Sequence, residues 1–376
     1  MDLFTLADDP ADLAYQTDLA AYCREVTVCR LSRRWSRARA LPFLFRGGPL
    51  TLPYFYSGEL HAHVRRALQE RTYDRIFVYS SAMAQYLDSA HGIPIITDLV
   101  DVDSDKWTQY AAFTSFPWSA VYRREGRCLR DYERSVCARS WQVVVTTERE
   151  GALARQLVEP GRVHVISNGV DTDYFCPGIG APDPDVPTVT FTGDMSYFPN
   201  ETAVTFFARE VLPIIRQSVP STRFLIVGRN PGKKVRQLQE CGGIEVTGFV
   251  PDVRVYLAKT HVSVAPFLIA AGIQNKILES IASGLPVVAT SRAVQGLAPE
   301  IADLVETADA PAEMAARVVS ILRDPKLARK RGLEGRNRVA VLYHWEHWLG
   351  KLLELIESPI SNEKPHGTST AKVHTP

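Results

Sequence analysis

A chain of 376 residues with a formal net charge of +1 has room for two domains and exerts no global pull on nucleic acid. Apolar residues make up 45% and charged residues 23%, as in ordinary soluble globular proteins, and the six cysteines form no C-x-x-C pair. That pattern argues against a disulfide framework and a zinc module and fits a reducing compartment.

No apolar run approaches the ~20 residues that span a bilayer, and the N-terminus is acidic rather than signal-like. The expected location is the cytoplasm, with peripheral association at the inner face of the cell membrane as the alternative. In chain order, Asp2–Leu6 reads as a strand, Ala11–Tyr22 as a helix and Val26–Leu31 as a second strand. A basic segment follows, with Arg30, Arg33, Arg34, Arg37, Arg39 and Arg46 interleaved with Trp35, Phe43, Leu44 and Phe45. It suits an anionic membrane surface or a phosphorylated ligand. It lacks a clean helical period, so a solvated arginine-rich loop is an equal reading.

Glu59–Gln69 reads as a helix, and Arg75–Tyr79 and Pro94–Asp98 as strands. The second of these strands runs into four aspartates, Asp98, Asp101, Asp103 and Asp105. Open α/β sheets place ligands at the carboxyl ends of their strands, so Asp98, Asp101 and Asp103 are candidate acid, base or hydroxyl-binding groups. These three are expected to share a face. A calcium site is not expected, because the loop lacks the required glycine and glutamate. Trp118–Arg139 reads as a long helix, Gln142–Thr146 as a strand, and Thr147–Glu150 as a helix start. An Asn-Gly turn at 168–169 and a Pro/Gly/Asp-rich linker at 177–187 divide the chain. Residues 1–176 form the first domain on this reading and 188–342 the second. An amphipathic helix follows at 343–357, expected to pack back on the first domain, and then a disordered polar tail at 358–376.

The second half repeats the strand–helix alternation from Thr188–Gly193 onward, so the fold class is α/β with two doubly wound parallel sheets facing a cleft. Its centre is Ala270–Thr290. A loop of small residues there leads into a helix with Ile273, Ile277 and Ile281 on one face, and Lys276, Glu279 and Ser283 on a polar stripe. Gly284 stops the helix, and Pro286–Thr290 reads as a buried strand. A helix start in such a loop offers free N–H groups to an anion, and a carboxylate two turns in can accept from vicinal hydroxyls.

Ile166–Asp171 with Phe175 and Pro177, Gly272-x3-Lys276-x2-Glu279-x2-Ala282-x-Gly284-x-Pro286, and the ending Asp324-Pro325…Tyr343–Glu346 resemble the retaining family-4 glycosyltransferases. Asp98–Ser104 with Lys106-Trp107, Arg123–Arg127 and Phe191–Met195 with Pro199-Asn200 are similar to a narrower group, the exosortase/PEP-CTERM-associated sugar transferases of exopolysaccharide loci. The resemblance implies a GT-B fold of two Rossmann-like domains. It also implies a nucleotide-diphosphate sugar as donor, and a lipid-linked or other saccharide as acceptor on the first domain. Glu279 then matches the glutamate that holds the donor ribose. Gly193, Gly272, Ile273, Gln274, Lys276 and Glu279 become the donor residues, with Lys276, Asp101 and Asp103 at the reaction centre. Neither metal nor cofactor is expected, because helix dipole and lysine neutralise the leaving diphosphate.

The sequence departs from that family at three places. Ala271 stands where the first glutamate of the family's pair belongs, and Asp194 follows Gly193 where a cation is usual. Lys276, backed by Arg229, Lys233 and Lys234, is the expected substitute. The match also begins after the family's first strand and Gly-rich loop, so the first sheet is expected to lack a central strand. A nucleotide-sugar-binding remnant without catalysis and a nucleotide-sugar 2-epimerase are the rival readings.

Overall fold

The computed structural model describes residues 1–178, 182–183 and 185–359. The tail expected from residue 358 therefore lies outside the described residues from 360 onward, as does part of the 177–187 linker.

Twelve strands can be followed along these residues: β1 (Asp2–Ala7), β2 (Glu25–Arg30), β3 (Ile76–Tyr79), β4 (Ile95–Asp98), β5 (Gln142–Val145), β6 (Val163–Val165), β7 (Thr188–Thr192), β8 (Arg223–Val227), β9 (Ile244–Gly248), β10 (Val262–Ala265), β11 (Val287–Ala289) and β12 (Glu306–Thr307). The helices that position the site and its surroundings are α1 (Arg33–Ala40), α2 (Phe43–Arg46), α3 (Gly58–Glu70), α4 (Asp103–Ala112), α5 (Trp118–Arg139), α6 (Glu148–Ala154), α7 (Phe198–Phe206), α8 (Asn275–Ala282), α9 (Pro325–Leu342) and α10 (Trp345–Glu357).

The second half folds as one parallel sheet in the order β12-β11-β10-β7-β8-β9. Its inner strands β7, β8 and β10 and their neighbour β11 are buried on both faces, as parallel strands covered by helices are. Phe191, Phe207, Phe224 and Phe267 fill its core, and α8 adds Ile277, Leu278, Ile281 and Ala282 to the same core. The strand order reverses between β7 and β10, and their carboxyl ends open the crevice where such sheets bind ligands.

The first half holds two parallel sheets rather than one, β1-β2 and β3-β4-β5-β6. Met83 and Leu87 pack against both neighbouring clusters, one built on Cys29, Leu60, Val64 and Tyr86, the other on Val78, Ala84 and Val136. These shared side chains join the two sheets. Two buried carboxylates of α5 pin the adjacent loops. Glu125 accepts from the N–H groups of Leu50 (2.7 Å) and Thr51 (2.9 Å), and Glu133 from the N–H (3.0 Å) and hydroxyl (2.5 Å) of Ser104.

Two local expectations differ from the fold. Ala11–Tyr22 is a 3-10 segment and a single α-turn rather than one helix, because that turn buries no side chain and so nothing sustains a longer one. The arginine-rich segment is helical: α1 buries Ser36 and Ala40, small side chains that let it lie close to its neighbours. The crossings between the halves are tight. Gly169 lies against the backbone and ring of Trp345, and Val170 N–H donates to the Tyr343 carbonyl at 2.7 Å. Leu355 of α10 then packs on Ile96 of β4 and Val144 of β5.

Candidate active site

A cavity of 590 Å³ lies between the two halves at the carboxyl ends of their strands. Tyr79, Val100, Asp101, Thr146 and Asn168 line it from the first half. The second half supplies Gly193, the Arg229 loop, the Phe249–Val253 shelf and the start of α8.

The floor is made by two glycines. Gly193 and Gly228 end β7 and β8 with φ of 151° and 148°, a region in which side chains are strained. A Cβ on Gly228 would stand 1.8 Å from the Gly193 carbonyl oxygen, so this contact tolerates no side chain.

Lys276 rises from the first turn of α8 over the rings of Phe267 (4.7 Å) and Phe191 (5.3 Å), and donates to Asn200 Oδ1 at 3.3 Å. Burial pulls its pKa down to about 8, against the opposing pull of Glu279. The Glu279 carboxyl is raised by the same burial, with Lys276 holding it back. No side chain caps the start of α8; the Ile277 N–H donates to the Gln274 carbonyl at 2.9 Å, which leaves the N–H groups of Asn275 and Lys276 to face an anion. Gly272 (φ 59°) sets the loop in front of it. Gln274 donates to the Ala271 carbonyl at 3.0 Å, and Asn275 accepts from Asn168 of the first half at 3.2 Å.

The three aspartates do not share a face. β4 ends at Asp98, Val100 turns back with φ of 63°, and Asp103 opens α4, so strand alternation does not extend past Asp98. Asp101 lines the cavity, whereas Asp98 and Asp103 stand outside its lining. Asp98 accepts from Val100 N–H at 2.8 Å, and burial raises it to about 6. Asp103 is ion-paired to Lys106. Burial alone would lower Lys106, but Asp103 and Asp101 more than offset it and hold its pKa high. Asp101 packs on Gly272 across the cleft, its Oδ1 standing 2.6 Å from where a Cβ would be. Of the expected substitute cations, Arg229 is committed to Asp194 at 2.8 Å, and Lys233 and Lys234 are exposed and outside the lining.

The sequence reading missed Glu150 and Tyr197. Thr147-x-x-Glu150 has capping-box spacing at the start of α6, where Glu150 N–H donates to Thr147 Oγ1 at 3.1 Å, and this spacing could have drawn attention to Glu150. Thr146 Oγ1 lies 3.1 Å from the Val100 carbonyl and 2.8 Å from Glu150 Oε2, but has one proton. Both contacts are satisfied when Glu150 is protonated and donates to the threonine. Burial, and then the Asp101 charge, raise Glu150 to about 7. A raised carboxyl favours the fold most below its unfolded pKa and loses that contribution as pH rises through the folded value. The melting temperature should therefore fall between about pH 5 and about pH 8, and fall less in Glu150→Gln. Equal slopes in the two proteins would show that Glu150 does not hold a proton. Tyr197 lines the cavity, bonds to the Tyr110 hydroxyl and is raised by burial. No local pattern marks it.

Comparison with known proteins gives two adjacent family matches. Residues 13–174 match the family described as "Glycosyltransferase Family 4", and residues 186–324 match "Glycosyl transferases group 1". Among curated proteins, the chain is 29% identical over 227 residues to alpha-maltose-1-phosphate synthase of Mycolicibacterium smegmatis, covering 53% of this chain and 57% of that protein. It is 29% identical over 232 residues to a phosphatidylinositol N-acetylglucosaminyltransferase component of Arabidopsis thaliana, covering 58% of this chain and 47% of that one. The chain thus spans about half the length of these relatives. Among solved structures, sucrose-phosphate synthase from Thermosynechococcus elongatus superposes with a TM-score of 0.67 at 18% identity, covering 95% of this chain and 99% of that one. Anabaena HepE in complex with UDP and glucose superposes with a TM-score of 0.61 at 13% identity over the same shares. With one family match on each half of a two-domain α/β fold, the chain belongs to the glycosyltransferases of GT-B architecture.

Proposed function

We propose that the chain transfers a sugar from a nucleotide-diphosphate donor to a lipid-linked saccharide, with retention at the anomeric carbon, in exopolysaccharide synthesis. The observation that carries this reading is the pairing of Lys276 with the open start of α8 at the switch point of the second sheet. The donor diphosphate sits against that helix start and Lys276. The ribose hydroxyls reach Glu279, and the base lies along Phe249, Val250 and Val253. The names of similar structures favour such a donor: the HepE structures hold UDP, or UDP with glucose.

In the reaction, the bond from the anomeric carbon to the β-phosphate oxygen breaks and the acceptor hydroxyl oxygen bonds to that carbon on the same face. The acceptor proton passes to the departing phosphate. Lys276 and the α8 N–H groups meet the charge that builds on the diphosphate, so the chemistry asks for no metal. Asp101 faces this point from the first domain and is the residue we assign to the reacting sugar or acceptor hydroxyl. Asp98 and Asp103 support it at one remove, Asp103 by holding Lys106. The exosortase-associated resemblance and the basic segment Arg30–Arg46 favour a lipid-linked acceptor and a peripheral location at the cytoplasmic face. No helix among the described residues is long and apolar enough to cross a membrane.

The test is incubation of the full chain with a panel of UDP-, GDP- and ADP-sugars and bacterial lipid extract, with NMR of the product's anomeric configuration. Transfer with retention is the expected result, and Glu279→Ala should weaken nucleotide binding by about tenfold or more, the scale of hydrogen bonds lost to a charged group. Nucleotide binding without turnover would favour the non-catalytic reading. An epimerised donor in the absence of acceptor would favour the epimerase, although His261 is held in the second domain, its Nδ1 accepting from Thr188 N–H at 3.1 Å.

A further inference from the structure

We infer that the tip of the α4–α5 hairpin, together with α1–α2, forms a two-lobed surface that docks on an anionic lipid bilayer.

The basic segment supplies the first lobe. Trp35 is 73% exposed and Phe45 89% exposed, each beside one end of a run from Arg34 to Arg46 that also carries Arg37. These three arginines have no ion pair among the described residues, whereas Arg33 is committed to Asp8. The second lobe has no signature in the sequence, because its residues belong to a turn and a helix start. α4 and α5 lie side by side, and the turn between them presents Phe116, 82% exposed, and Trp118, 59% exposed.

Long-range hydrogen bonds bring the two lobes together. Arg124 of α5 donates to the Phe43 carbonyl of α2 at 2.6 Å, and its neighbour Glu125 holds the backbone of residues 50 and 51. Single exposed apolar side chains are ordinary on protein surfaces, but large aromatics gathered on neighbouring elements are not. The charge around them identifies the partner. No Asp or Glu occurs between Glu25 and Glu59, or between Asp105 and Glu125. Aromatic rings at the polar–apolar boundary with arginines among them match the headgroup region of an anionic membrane. A second copy of the same face would bring arginines against arginines, which opposes self-association.

The position of the tip relative to the cleft adds a reason. α4 starts beside the cavity at Asp103 and runs ten residues to the tip, about 15 Å along a helix. A ring series of Trp118, Tyr122, Trp107 and Tyr110 continues from the tip to Phe198, next to the cavity residue Tyr197. A bilayer touching the tip would hold a lipid-anchored acceptor within reach of Asp101. This placement rests on the transfer reading above, while the docking itself does not.

The experiment is flotation of the full chain with vesicles of phosphatidylcholine, with and without phosphatidylglycerol. The wild type should float only with the anionic vesicles. Phe116→Ser with Trp118→Ser should lower partitioning by about tenfold, and Arg34→Glu with Arg37→Glu by at least as much, since each arginine at an anionic surface is worth about fivefold in partition. UDP binding and melting temperature should stay unchanged, which separates lost docking from lost fold and from failure of the transfer reading. Flotation independent of lipid charge, or a tip variant that floats like the wild type, overturns the proposal. So does a concentration-dependent dimer that the tip variant converts to monomer, which would assign the surface to a second copy.

Discussion

Lys276→Ala should lower kcat/KM by on the order of 10²-fold, the usual loss when a positioned charge that meets the transition state is removed. The expectation rests on the lysine's surroundings. Its ammonium stands over Phe191 and Phe267 and has one polar partner among the described residues, Asn200, so little else there satisfies it in the free protein. Arg229 cannot take its place, because Asp194 holds that guanidinium. A departing diphosphate would supply what the site lacks, and the interaction is strongest when the charge has localised on the leaving oxygen.

The pH dependence follows from the same burial. With a pKa near 8, Lys276 loses its charge as pH rises through that value, and the anion site goes with it. The kcat/KM profile reports groups of the free enzyme, so it should fall above about pH 8. Lys276→Arg should move this limb out of range while restoring part of the activity, because a guanidinium stays protonated. A wild-type profile flat to about pH 9.5, or an alanine variant with full activity, would remove Lys276 from the mechanism.

Gly228→Ala should be the most damaging single methyl in the second domain. The added carbon meets a backbone carbonyl at 1.8 Å, and the residue must also keep a φ of 148°. Strain of about 1–3 kcal/mol and overpacking of similar size combine to about 3 kcal/mol or more, a Tm drop of roughly 6–12 °C for a domain of this size. Gly242→Ala is the control, since its φ of 67° also disfavours a side chain but its Cβ would meet nothing within 4 Å. It should cost only the left-handed backbone term, about 1 kcal/mol. Thermal unfolding of both variants checks the difference, and equal shifts would mean that β7 and β8 can separate at their ends without cost.

What could be read from the sequence was local. The periodicity at Ile277, Leu278 and Ile281 set the face of α8, Gly284 set its end, and the short apolar runs marked the buried strands, each through contacts within a few residues. The polar stripe of Lys276 and Glu279 follows from helix geometry, and the family resemblance then proposed both as donor residues before any tertiary structure was known. The reading failed where backbone direction changes without a local signal. Alternation pairs Asp101 with Asp103 but not with Asp98, an odd number of residues away, and it stops in any case at Val100, whose left-handed turn carries a bond from its own N–H to Asp98.

Tertiary structure alone brought Asp101 onto Gly272, from the other half of the chain, and set Glu150 beside it, where burial and the Asp101 charge raise its carboxyl. It alone separated β1-β2 from β3-β6, since strand pairing is decided between segments far apart in the chain. It also joined the α4–α5 tip to α2 through Arg124 and Phe43, a contact between residues 81 apart. Burial is what makes these placements matter chemically, because it removes the water that would otherwise screen Lys276, Asp101 and Glu150 from their charged neighbours.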